Sequence, residues 1–205
     1  EQAISLDPRS VLMLQNLAGS YVALRRYNEV SSIIDRTDAL ESKMTNATYG
    51  ISSIYYASGN AEQAISFLKN IKNFERLKFH YSIILKNYEE IEQILTDYQN
   101  DFITSVQNYF PRSYFQGILN EGLGNKDEAI KYFKRTIEHL KEKINSYPDD
   151  PRFYSTLGLT YARIGKNKEA VNAGLKAIDI LPISKDAMFG PNYEKSLCYI
   201  YSIIG

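Results

Sequence analysis

Apolar residues return along this chain at helical spacing. Tyr154, Leu157, Gly158 and Tyr161 fall at i, i+3, i+4 and i+7, which is one stripe of a helix. Gly165 follows as a stop, and Ala170 and Ala177 mark a second helix that Pro182 ends. Each stripe can be buried only by packing on the other, and Gly158 and Ala170 are small where the two axes would meet. An antiparallel helix pair is predicted over 151–184.

The same pattern can be walked in both directions. Forward, Pro191 opens a helix carrying Leu197, Cys198 and Tyr201 to Gly205, a partial unit over 191–205. Backward, Gly117, Gly124, Ala129 and Phe133 place a unit over 110–150, whose second helix runs through Ile137, Leu140 and Ile144 to Pro148. Its start precedes the next by 41 residues. Ile51, Ser52, Tyr55, Gly59, Ala64 and Leu68 define a unit over 45–71, and Leu14, Leu17, Ala18, Tyr21 and Val30 one over 11–44, a step of 34 residues. Residues 72–109 form a degenerate unit. Leu77, Tyr81, Ile84 and Leu85 predict one helix and Tyr88, Ile91, Ile94, Leu95 and Tyr98 another, with Lys86-Asn87 as the turn and 101–109 as an extra turn or short helix. Ala3 to Pro8 repeats the pattern of Ala177 to Pro182, so the chain is expected to be a piece of a longer array.

The order aromatic-x2-Leu-Gly-x2-Tyr…Ala…Ala…Pro from Tyr154 to Pro182 resembles the tetratricopeptide repeat (TPR) family. The resemblance implies an all-α fold, a right-handed α-solenoid of antiparallel helix pairs, acting as a non-catalytic protein-protein interaction scaffold. In that family one stripe of each first helix lines a concave groove. The matching positions are Tyr49, Ser53 and Tyr56; Arg76 and His80; Tyr114, Ile118 and Glu121; Ser155, Leu159 and Ala162; and Lys195, Tyr199 and Ser202, with Arg152 and Arg163 flanking. Such an aromatic and basic groove suits a peptide or partner protein. The lysine and asparagine clamp of the chaperone-tail binders is absent from these positions. From Glu128 to Gly205, the string Tyr147-Pro-Asp-Asp-Pro151, Leu157-Gly158, Ala170, Ala177, Leu181-Pro182 and Gly190-Pro191 resembles the TPR tails of multidomain bacterial regulatory proteins. That resemblance implies a segment of a larger bacterial regulator, cytoplasmic or periplasmic. Self-association or docking within the parent protein is the alternative, and an enzyme is the outsider.

Charge and chemistry narrow this picture. With 24 Lys+Arg against 24 Asp+Glu, the chain lacks the basic footprint of a nucleic-acid binder, and none is expected. No apolar run approaches the roughly 18 residues of a membrane helix, so no membrane insertion is expected. One cysteine builds no internal disulfide, which fits a reducing cytoplasmic setting. No metal, cofactor or catalytic residue is assigned, because His80 and His139 have no partner at ligand spacing. Gly122-Leu-Gly124-Asn-Lys126 lacks a complete phosphate-loop pattern and reads as an inter-helix turn. Cys198 takes the small packing position held by Gly117 and Gly158, and Tyr21, Tyr55, Tyr161 and Tyr201 are assigned to the core. A homodimer through the stripe Leu197, Tyr201 and Ile204 is a further expectation.

Overall fold

The computed structural model describes residues 2–24, 26, 29–30, 32–33, 36, 59, 62, 66 and 75–205. The chain divides into two compact units, Glu1–Asn87 and Tyr88–Gly205. In the first, α1 (Gln2–Leu6), α2 (Val11–Ala23) and α3 (Glu75–Ile84) are described. Ile4, Leu14, Ala18, Val30 and Ile33 form one apolar cluster, with Leu17 and Tyr21 packed against it. Leu14, Leu17, Ala18 and Tyr21 sit at the helical spacing that brings them to one face of α2. Arg26 lies 4.6 Å over the Tyr21 ring and pairs with Glu29 at 2.7 Å. On α3, Leu77, Phe79, Tyr81 and Ser82 are buried. Ile84, expected on the buried stripe, is instead exposed, because α3 ends there and Lys86 (φ 53°) turns the chain.

The second unit contains α4 (Tyr88–Asp97), β1 (Phe102–Thr104), β2 (Tyr109–Pro111), α5 (Arg112–Gly122), α6 (Lys126–Ser146), α7 (Pro151–Arg163), α8 (Asn167–Ile180) and α9 (Pro191–Ile204). α4 packs on α5, α5 pairs with α6, and α7 pairs with α8; α6 also packs on α7, and α9 lies on both α7 and α8. The architecture is the all-α array of helix pairs, with one short hairpin added. α7 is the centre, and every residue from Ser155 through Ala162 is buried. Small residues permit the approach: a β-carbon on Gly158 would stand 2.6 Å from Ile200 and 2.9 Å from the Ala170 carbonyl oxygen.

The turns that follow first helices share one hydrogen bond. A backbone N–H donates to the carbonyl five residues back in Arg26→Tyr21, Asn87→Ser82, Asn125→Asn120 and Lys166→Tyr161, at 2.8 to 2.9 Å. The residue before the donor is left-handed at Lys86, at Gly124 (φ 83°) and at Gly165 (φ 75°), the geometry of a helix C-cap that glycine adopts without strain. The glycine-rich stretch at 122–126 is therefore a turn.

Residues 102–111 correct the expected extra turn or short helix. Phe102 pairs with Pro111, Ile103 with Phe110 and Thr104 with Tyr109, antiparallel. β-branched and aromatic side chains favour this pleated conformation. The connecting loop is closed by Ser105, whose Oγ accepts from the backbone N–H of Gln107 and Asn108 at 3.3 and 3.2 Å. Phe110 thus lies in a strand, and the helix expected from 110 begins at Arg112 after Pro111. A second correction concerns α9. Cys198 and Tyr201 are exposed, since the helix turns Tyr193, Leu197 and Ile200 toward α7 and α8, where Leu197 and Ile200 crowd Gly174.

Candidate protein-interaction surface

The first-helix stripe of the second unit is carried by α5, α7 and α9. On α5 it is largely closed. Tyr114 and Ile118, expected to face a partner, are each 5% exposed. The Tyr114 ring stacks on Phe110 at 5.1 Å and reaches Phe133 at 6.2 Å, so aromatic packing takes up the face that would have been presented. On α7, Ser155, Leu159 and Ala162 are buried because neighbours surround that helix. The polar ends remain. Arg163 extends from α7 to donate from Nη1 to the exposed Glu121 carboxylate of α5, and Tyr114 acts on it electrostatically. Burial pulls the Arg163 guanidinium down, but Tyr114 and Glu121 more than offset it and hold its pKa above the ordinary value. Its buried Nε has no hydrogen-bond partner. On α9, Lys195 and Tyr199 are exposed, with the ammonium 5.7 Å from the ring.

The remaining predicted positions lie elsewhere. His80 is half-buried on α3, 5.6 Å between ring centroids from Tyr81, and Arg76 lies on the same helix. Tyr49, Ser53 and Tyr56, with the rest of the 45–71 motif apart from Gly59, are outside the described residues. Arg152 does not join the stripe. Its backbone N–H donates to the Asp150 side chain at 3.0 Å, capping α7, while Nε and Nη2 donate to the same carboxylate at 2.9 and 2.6 Å. Nη1 donates to the Ser105 carbonyl at 3.0 Å, tying the helix to the hairpin loop. The Asp150 hydrogen bonds raise the Arg152 pKa above its usual value.

The hairpin is seated by further contacts. The Tyr109 hydroxyl lies 2.7 Å from Nε2 of His139, its carbonyl accepts from the Thr156 hydroxyl at 2.7 Å, and its ring meets Phe153 edge-on at 5.0 Å. Desolvation lowers the His139 pKa, aided by Lys143, and desolvation raises that of Tyr109. Where the hairpin loop meets the α6–α7 and α8–α9 connections, a cleft of about 610 Å³ opens, with Val106, Tyr147, Asp149, Arg152, Phe189 and Tyr193 among its lining residues. Sequence reasoning missed this cleft. Its parts are loops far apart in the chain, and the only available signal was the proline-bounded runs at 147–151 and 181–191.

Among the described residues, no three His, Cys, Asp or Glu side chains gather closely enough to hold a metal ion, and no helix is long and apolar enough to cross a membrane. The fold of the described residues is an all-α array of packed helices with one short hairpin. No family model matches the chain. A solved structure similar to it is that of YrrB, described as a TPR protein with an unusual peptide-binding site: it matches 95% of this chain and 96% of that one, at 18% identity and a TM-score of 0.43. A curated protein of Schizosaccharomyces pombe, described as an uncharacterized RNA-binding protein, is 28% identical over 85 residues, 40% of this chain. The chain spans 12% of that relative's length.

Proposed function

We propose that this chain is a non-catalytic interaction scaffold, a segment of a larger regulatory protein, that takes a peptide or partner segment along the open part of its first-helix stripe. The observation that carries the reading is the bridge from Arg163 on α7 to Glu121 on α5, which gathers charge from neighbouring first helices on one face and leaves a buried guanidinium N–H without a partner. By repeat register, Lys195 and Tyr199 continue that stripe on α9. An exposed ammonium and an exposed tyrosine suit a partner carrying a carboxylate beside an apolar residue. The charge balance of the chain argues for a protein partner rather than RNA.

The burial of Tyr114, Ile118, Ser155 and Leu159 favours a second reading, in which the stripe is consumed by packing inside the protein itself. The two readings part in a peptide selection. Twelve-residue peptides are selected on the chain from a random display library, and their binding is measured by calorimetry against Lys195→Glu and Tyr199→Ala. Partner binding at the stripe predicts about tenfold weaker binding in each variant, with helicity unchanged. Equal affinity in both variants removes the stripe as the binding surface.

A further inference from the structure

The cleft at the hairpin end has a chemistry that the first-helix stripe does not share. Tyr147, Phe189 and Tyr193 contribute aromatic rings to it, and Asp149 and Asp150 contribute carboxylates. Its one cation, Arg152, is already committed to Asp150 and to the Ser105 carbonyl. Within the lining, the exposed Asp149 is the carboxylate not taken up by Arg152, with Lys176 of α8 acting on it from outside the cleft and aromatic side chains beside it. Carboxylates and ring faces both attract an organic cation, and rings do so while tolerating its apolar stem.

The walls are preformed, which lowers the cost of binding. The hairpin loop is closed on Ser105 Oγ. The connection before α7 is closed by the Asp150 cap and by the Asp150 N–H donating to the Tyr147 carbonyl at 3.3 Å. In the connection before α9, the Asp186 carboxylate accepts from the N–H of Met188 and Phe189 at 2.9 Å each, fixing where Phe189 stands. A β-carbon on Gly190 would lie 2.6 Å from the Asp186 carbonyl oxygen, so that loop is wound as tightly as its backbone allows. Tyr147 is 62% exposed and Val106 70% exposed, leaving apolar surface at the rim for a neighbouring side chain.

We infer that this cleft is a second docking site, one that receives a lysine or arginine side chain of a peptide segment flanked by apolar residues. The cation sits against Tyr147 and Phe189, above the buried Tyr193, with Asp149 as its counter-charge, and the flanking residues cover Val106 and the rim. Tyr193 is buried, and burial first, with Asp150 and Asp186 adding to it and Arg152 opposing, pushes its hydroxyl up to about 12.

The test uses the full chain and fluorescein-labelled acetyl-Gly-Leu-Arg-Pro-Leu-Gly-amide, with the same peptide carrying Glu or norleucine in place of Arg. Fluorescence anisotropy should show binding of the Arg peptide, weakened by salt, about fivefold weaker binding of the norleucine peptide and none of the Glu peptide. Asp149→Asn, an exposed change that leaves the fold intact, should weaken the Arg peptide about fivefold, and Phe189→Ala should do the same with unchanged circular dichroism. The inference is overturned by equal binding of the Arg and Glu peptides, by indifference to Asp149→Asn, or by no binding up to about 1 mM. It is equally overturned if sedimentation without peptide shows a second copy of the chain filling the cleft. Lys195→Glu should leave the result unchanged, which separates this site from the stripe.

Discussion

At the residue scale, the strongest constraint is the contact of α7 with α8 and α9. Gly158 has the Ala170 carbonyl and the Ile200 side chain where its β-carbon would go. A backbone oxygen cannot rotate away as a side chain can, so Gly158→Ala must push α7 from α8. The expected cost is about 1–3 kcal/mol, read as a lower urea midpoint with an unchanged m-value. By contrast, the three atoms nearest a β-carbon on Gly117 all belong to the Phe133 ring, which can tilt. Residue spacing made Gly158 legible in advance, because a glycine at i+4 of an apolar stripe marks close approach. It could not show that Tyr114 would be covered, since a tyrosine at that spacing fits a groove wall and an aromatic cluster equally well.

At the element scale, the helices were readable where the apolar period persisted over several turns, as in α6 with Ala129, Phe133, Ile137 and Leu140. The hairpin was not. Each strand is three residues long, too short for alternation to distinguish itself from a helical fragment. Its attachment predicts a pH response. His139 has its pKa lowered by desolvation, with Lys143 and Arg135 adding repulsion and Glu142 and Asp101 opposing them. The folded protein therefore resists protonation more than the unfolded chain does. This contribution to stability is present above the ordinary histidine pKa of about 6.5 and is lost as pH falls through the lower folded value. The melting temperature should decline between about pH 6.5 and 5, where most carboxylates stay ionised. His139→Gln should flatten that decline; a slope identical to the parent would assign it to other groups.

At the scale of the whole molecule, the division at Asn87 and Tyr88 has a direct consequence. The second unit holds its own core, built around α7, together with all three segments of the cleft wall. A fragment of residues 88–205 should fold alone, with a cooperative urea transition and helical circular dichroism. Gradual, non-cooperative loss of signal would show that its core depends on the first unit. Helical repeats make such autonomy reasonable, since each pair is stabilised chiefly by its nearest neighbours. The same principle explains why the repeat pattern was legible while the cleft was not: neighbour packing is written in local spacing, whereas the cleft is assembled where loops of unequal length come together.

The turns after α5 and α7 close on the same five-back hydrogen bond and the same left-handed glycine, while the hairpin loop and the connections before α7 and α9 differ in length and composition. Insertions at the first kind of turn would have to recreate a left-handed backbone state that glycine adopts freely and other residues do not, whereas the closure entropy of a connecting loop grows only slowly with its length. Loop replacement is thereby least disruptive at one edge of the second unit. That edge can acquire or lose a specificity by loop replacement without altering how the helices stack, and it is where a designer would graft a foreign recognition loop.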